Sequence, residues 1–328
     1  MALRNDKAVE IFSALHMNKI KDTEIEVAEA RAAIRELAKN PNPINRYEIA
    51  QLLAFVVNDI ITQKTNYIDM FADTKRVGIG EKAMFKVKKS GIKAYLQAKN
   101  GTTHRSRIMN AYQDVDTIEV SARPFINLYE LAAGKVSFDE CIGDAADEME
   151  KAMVQEIERT LYAAFDGYST PSYGSGSGVV AATIDPMIRA MQRMGNVSII
   201  GDINCIYKLA DLTGFVTTGT TKQFSENVMD EFNRNGMIGN YKGSMVLKLN
   251  NPFVRGSLTS TVLKQDLLYI MPSGAESPLK VVMEGDVESM DSTNINDNTM
   301  EVQLRKYFGS AIIYGDNPQI AVYEDTSL

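Results

Sequence analysis

The sequence predicts an α+β protein, and three observations carry the prediction. The first sixty residues read as helices, residues 77–131 switch to a period of two around a basic hairpin, and residues 137–165 make the longest amphipathic helix of the chain. After a Gly/Ser-rich connector at 170–178, shorter helices and strands alternate as a compact α/β unit.

Asp22-Thr23-Glu24 opens an Ala/Glu/Arg-rich helix through Lys39, with Ile25, Ala28 and Ala32 along one side, and Asn40-Pro41-Asn42-Pro43 stops it. Asn45, with Glu48 three residues on, has capping-box spacing for a second helix that carries the apolar run 52–57 through Ile61. The apolar faces of these helices suit either the chain's own core or the surface of a partner. Residues 85–99 and 102–108 then read as two antiparallel arms, because Asn100-Gly101 supplies the positive φ angles of a tight turn. Strand patterns resume at 114–120 and 125–131. With few large apolar residues near its tip, such a hairpin needs something else to lie on.

Ser137 and Glu140 again have capping-box spacing, and Phe138, Ile142, Ala145, Met149, Met153, Ile157, Leu161 and Phe165 follow in steps of three or four. At 1.5 Å per residue this helix runs about 40 Å, the length of a strut. Beyond the connector, Asp185-Pro186 reads as the start of a helix ending at Gly195, 197–200 as a buried strand, 204–212 and 222–234 as helices, and 244–249, 267–271 and 279–283 as strands. Residues 286–298 read as a polar loop, 299–307 as a long alternating strand, 311–314 as short and apolar, and 319–323 as a closing strand.

Composition bounds the function. At 328 residues and 45% hydrophobic the chain can bury a substantial core. Its longest apolar run, 52–57, is far short of the roughly 20 residues of a membrane helix, and its opening lacks the pattern of a secretory signal, so it is expected in the cytosol. Cys141 and Cys205 lie far apart with no neighbour at metal-ligand spacing, and two histidines cannot build a multi-histidine metal centre. The net charge of −7 disfavours general affinity for nucleic acid. That charge is uneven: Lys75 to Arg107 hold ten Lys or Arg against Glu81, a local +9, which leaves −16 for the remainder.

Chemistry is sought and not found. Gly78-Ile79-Gly80-Glu81-Lys82-Ala83 fits a loose dinucleotide fingerprint, but a strand follows it where the motif needs a helix N-terminus. There is no phosphate-loop sequence and no nucleophile elbow. The acids Asp139, Glu140, Asp144, Asp147, Glu148 and Glu150 read as the solvated face and favourably charged first turns of the long helix. No enzyme activity and no cofactor are expected.

The order of parts is then informative. Helical arm, basic hairpin at 85–118, strut helix at 137–165, α/β domain, polar loop, and the strand Met300-Glu-Val-Gln-Leu-Arg-Lys-Tyr-Phe-Gly-Ser-Ala-Ile-Ile-Tyr resemble, across essentially the whole chain, the tailed-bacteriophage major capsid protein with the Hong Kong-type, or Johnson, fold. The resemblance implies an N-arm (1–70), an E-loop hairpin with flanking strands (71–130), a P-domain spine helix and linker (131–178), an A-domain (179–278), P-domain strands and P-loop (279–311) and a returning A-domain strand (312–328). It implies self-assembly as pentamers and hexamers into an icosahedral shell around double-stranded DNA, in a virion built in the bacterial cytoplasm, with portal, scaffold and decoration proteins as partners and no membrane.

The subunit interface is expected on the E-loop at Lys86, Lys88, Lys89, Lys93, Lys99, Arg105 and Arg107, facing an acidic block: residues 138–166 hold nine acids against Lys151 and Arg159. The rival readings are an encapsulin-type compartment of the same fold and a cytosolic α/β enzyme.

Overall fold

The computed structural model describes every residue except 1–4, 18, 22–24, 92–108, 165–170, 211, 213–215, 219–220, 224–229, 231–233, 235–237, 255, 274–276, 295–298 and 315–319. Three helices open it, α1 (Asn5–His16), α2 (Ile25–Lys39) and α3 (Pro43–Thr65). A first sheet has the order β1 (Asp73–Val77), β13 (Leu279–Asn294), β14 (Thr299–Ile312), β4 (Ile118–Ala122), and β5 (Phe125–Asn127) also pairs with β14. Between β1 and β4 the chain makes the hairpin β2 (Met84–Ser90) and β3 (Met109–Asp114). After β5 come α4 (Leu128–Ala132) and the long α5 (Phe138–Ala163).

The second sheet runs β10 (Asn240–Tyr241), β11 (Ser244–Lys248), β7 (Val197–Gly201), β12 (Leu267–Pro272), β15 (Ala321–Asp325), β6 (Tyr173–Gly176). Helices α6 (Ala181–Gln192) and α7 (Ile203–Ala210) lie on one face of it, and β8 (Val216–Thr218) with β9 (Thr221–Gln223) forms a small separate hairpin.

The cores explain this arrangement. Ile142, Ala145, Met149, Met153, Ile157 and Leu161 of α5 are all buried, as helical periodicity requires. They join buried residues of α1 to α3, the inner face of the first sheet (Met283, Met300, Val302, Leu304, Phe308) and Ile200, Tyr269 and Val322 of the second in one large core. Alternate residues of those second-sheet strands, Ile199, Leu268, Ile270 and Tyr323, pack with α6 and α7 in a separate core. The second sheet is therefore buried on both faces.

Helices α1 to α3 are part of the large core. α3 buries Ile49, Leu52, Leu53, Val56, Val57, Ile60 and Ile61, which leaves it no single solvent stripe. α2 buries Val27, Ala30, Ile34 and Ala38, whereas Ile25 is 76% exposed: the inner face is rotated from the one the sequence suggests. In α1, Phe12 meets Phe138 edge to face at 5.9 Å.

Several local expectations are corrected. The cap of α3 is Asn42 rather than Asn45: its side chain accepts the Asn45 N–H at 2.7 Å, and Pro43 occupies the first turn, where its missing N–H costs nothing. Ser137 holds the N-cap position of α5 but makes no side-chain cap bond. Asp185-Pro186 lies inside α6, with Asp185 accepting from the Tyr241 hydroxyl at 3.0 Å. Residues 125–131 are not one strand, because Asn127 caps α4 by accepting from the N–H groups of Tyr129 and Glu130. Lys222 sits in β9, and most of the helix expected at 222–234 lies outside the described residues.

The polar stretch from Asp286 is no loop either as far as Asn294. A bulge between Glu284 and Glu288 resets the register, and Glu288 to Asn294 continue pairing with Arg305 to Thr299.

A buried carboxylate closes the second sheet. Asp325 accepts the Gly178 N–H at 2.7 Å, Lys208 Nζ at 2.6 Å and the Ser327 N–H and hydroxyl, while the Tyr323 hydroxyl donates to Gly178 O at 2.7 Å. This clamps the Gly-rich connector to β15. Burial alone raises the Asp325 pKa, but these donors outweigh it and bring the value down to about 2.

A depressed carboxylate pKa contributes stability that is present above the unfolded value near 4 and is lost as pH falls through about 2. Asp325→Asn is expected to cost about 2 kcal/mol at pH 7. In urea titrations the gap to wild type should shrink steadily below pH 4; a gap independent of pH would show that the charge is immaterial.

Candidate assembly surface

The hairpin is rooted by its alternation. Ala83, Phe85 and Val87 are buried with Val115, Val282 and Ile313 in a third, small core, while Met84, Lys86 and Tyr112 face outward and are exposed. Two ammonium groups lie over the Phe85 ring: Lys75 Nζ is 4.7 Å and Lys280 Nζ 5.6 Å from its centroid. Lys280, itself buried, also pairs with Asp73 at 2.7 Å. On the outside Lys82 meets Asp114 at 3.2 Å and lowers its pKa.

Of the basic residues expected at the interface, Lys86 is exposed on β2, opposite Tyr112, and Lys88 is paired in backbone register with Asn110. Lys89 is also in β2; Lys93, Lys99, Arg105 and Arg107 lie outside the described residues, as does the Asn100-Gly101 turn.

The acidic block of α5 is largely neutralised within the chain. Asp139 takes a two-pronged contact from Arg31, at 3.1 and 2.5 Å. Although burial raises the Asp139 pKa, the Arg31 guanidinium and the Ser137 hydroxyl bring it below the usual range. Lys64 binds Asp147 and lies 3.4 Å from the buried Glu150, and His16 Nε2 is 3.4 Å from Asp147. Glu148 pairs with Lys151 and Glu156 with Arg159. Glu158 accepts the Lys264 N–H at 2.8 Å, and burial raises its pKa. Among the described residues of α5, only Glu140 and Asp144 are acids without a salt bridge or hydrogen-bond partner of this kind.

A different acidic surface is open. On β14 the even-numbered residues from Met300 to Phe308 point into the core, which leaves Glu301, Gln303, Arg305 and Tyr307 on the far face. Register places Glu284, Glu288 and Met290 of β13 and Glu119 of β4 beside them. Glu284 accepts from Gly80 N–H at 2.7 Å and Thr117 Oγ1 at 2.6 Å, and these bonds lower its pKa. Arg305 and Arg123 offset part of the charge by contacting Glu119 and Glu301. Phe125 is 72% and Met290 58% exposed on this face. The sequence signal was available in the period-two alternation of 299–307, but its acidic neighbours become visible only with strand order.

A long helix and helical opening on one face of a sheet that is antiparallel except for the parallel β1–β13 pair, a rooted basic hairpin and a second, mixed sheet define the class: this is the fold of bacteriophage capsid subunits. It superposes on the mature capsid of bacteriophage PhiM1 with a TM-score of 0.52 at 8% identity, covering 78% of this chain and 86% of that one. For a structure from Microbacterium phage Oxtober96 the score is 0.53 at 11% identity, over 79% and 90%, and for Mycobacterium phage Adephagia 0.51 at 12%, over 77% and 87%.

Residues 2–324 match the family described as "SPbeta prophage-derived putative capsid protein YonB", and the chain belongs to that family. Comparison with curated proteins gives no match. The protein is a shell-forming capsid protein with a structural role. No helix among the described residues is long and apolar enough to cross a membrane.

Proposed function

We propose that the chain is a major capsid protein that assembles as pentamers and hexamers into an icosahedral shell around double-stranded DNA, in a virion built in the host cytoplasm, and that it catalyses no reaction. Portal, scaffold and decoration proteins are its expected partners. A net charge of −7 suits a container that must release its cargo. The proposed domain division is an N-arm at 1–70, an E-loop hairpin with its flanking strands at 71–130, a P-domain at 131–178 and 279–311, and an A-domain at 179–278 and 312–328.

The observation that carries this reading is the opposition of charge between one segment of the sequence and one face of the first sheet. Residues 85–107 hold seven Lys or Arg and no acid, and the far face of β13 and β14 presents Glu119, Glu284, Glu288 and Glu301. The basic hairpin of one copy lies on that face of a neighbour. Each exposed pair contributes about 0.2 to 1 kcal/mol, so the contact depends on many pairs repeated round the shell, and salt screens it.

Reversing Lys88, Lys89, Lys93 and Arg105 to Glu together is expected to stop shell formation at about 0.1 M salt, as followed by electron microscopy and light scattering, with an unchanged circular dichroism spectrum. Adding Glu119→Lys, Glu288→Lys and Glu301→Lys should restore shells. Assembly of the first variant at the wild-type rate would show that the hairpin charge is only a solvated surface.

A further inference from the structure

Helix α5 keeps one narrow face wet along its length. Glu140, Asp144, Glu148, Lys151, Gln155 and Arg159 recur on it in steps of three or four, while Ile142, Met149, Met153 and Ile157 point the other way into the core. Of the six, only Lys151 is partly buried. Charge is divided between the two ends of this face: three acids come first and two bases follow. Among the described residues Glu140 and Asp144 have no salt bridge. Glu148 and Arg159 are held only by neighbours on the same helix, Lys151 at 2.6 Å and Glu156 at 3.0 Å, and their side chains are 62% and 78% exposed. Exposed pairs three residues apart are too weak to tie those side chains to one partner.

Such a stripe is its own complement when turned end for end. Glu140 with Arg159, Asp144 with Gln155 and Glu148 with Lys151 are each symmetric about one point, between positions 149 and 150. A single two-fold axis there brings all three pairs face to face at once, along a stripe about 28 Å long. The outer and inner pairs are opposite charges, and the middle one sets an amide donor against a carboxylate. A copy laid parallel would set acid on acid instead.

We propose that α5 pairs through this stripe with α5 of a second copy, antiparallel, about a two-fold axis between positions 149 and 150. The occupant is another copy of this chain because the pattern complements itself. α5 packs on the inner face of the first sheet, so this contact lies on the side away from the acidic far face of β13 and β14, and one subunit can hold both neighbours. The seam is polar, and salt screens it; its strength comes from repetition over the shell. A two-fold contact joins two copies and stops, whereas rings are built head to tail, so the pair ties one ring to the next. Only this last step rests on the pentamers and hexamers proposed above.

Two full-length variants test the pairing, Asp144→Lys with Glu148→Lys, and Lys151→Glu with Arg159→Glu; Glu140 is spared because it suits the first turn of its helix. At about 0.1 M salt each alone is expected to form shells about tenfold or more slower than wild type by light scattering, with an unchanged circular dichroism spectrum. An equal mixture should recover, since each stripe then meets its opposite, and repair within one chain cannot produce that result. In a Cys141→Ser background, Asp144→Cys with Gln155→Cys should give covalent dimers when assembled shells are oxidised, and either cysteine alone should not. Wild-type rates for either charge variant, a mixture as slow as its components, or absence of the dimers would overturn the proposal. Sedimentation of the arrested variants tests the rings separately: species of five or six copies support them and monomers count against them, while recovery on mixing decides the pairing in both cases.

Discussion

Gly309→Val is expected to yield little folded protein. Gly309 sits in β14, opposite Val282, where the chain leaving the hairpin crosses over the sheet to begin β4. A Cβ there would stand 2.4 Å from Asp116 O and 3.2 Å from Asp116 C, and both belong to backbone, which cannot swing aside as a side chain can. Overpacking of this kind costs about 3 kcal/mol or more, a large part of a typical stability of about 5 to 15 kcal/mol. Urea unfolding of any soluble fraction should show a clearly lowered midpoint. The displaced segment also roots the hairpin, so whatever folds should assemble poorly. A midpoint within error of wild type would mean that the crossing has slack.

Deleting residues 1–40 has a still larger expected effect, and a different one from that of removing an appended arm. It takes out Ala8, Phe12, Val27, Ala30, Ile34 and Ala38, all buried, and uncovers Phe138 on α5. Losing one buried aromatic side chain costs about 3 to 5 kcal/mol by itself, so losing six buried residues exceeds the whole stability of most domains. The truncated chain should be insoluble, or should bind a hydrophobic dye and unfold without cooperativity. Soluble, cooperatively folding subunits that fail only in assembly would restore the arm reading.

Legibility in the sequence followed the number of solvents a segment meets. α5 has one dry face and one wet face, so its buried residues from Phe138 to Leu161 could be read directly. α3 and the second sheet are dry nearly all round, and there periodicity says little about what packs where. α2 carries apolar residues on both sides, and only tertiary packing decides that Val27 and Ile34 point inward while Ile25 does not.

The stretch 286–294 looked like a loop because its strand is wet on the far face and only partly covered on the near one, so it lacks apolar residues. The acids of α5 were visible, but their partners Arg31, Lys64 and Lys264 come from remote parts of the chain.

The path of the chain between the two sheets has a mechanical consequence. Strands β1 to β5 belong to one sheet or its hairpin, β6 to β12 lie with the other, β13 and β14 return to the first, and β15 closes the second. The backbone therefore crosses from sheet to sheet three times, after α5, after β12 and after β14. A load that pulls the sheets apart is carried by three covalent spans in parallel, as in a laced seam, so outward pressure strains each span by a fraction of what a single hinge would bear. Because β13 and β14 lie side by side at the centre of the first sheet, and β12 and β15 are both interior strands of the second, two of the three spans run between interior strands, while the span after α5 enters the second sheet at its edge strand β6.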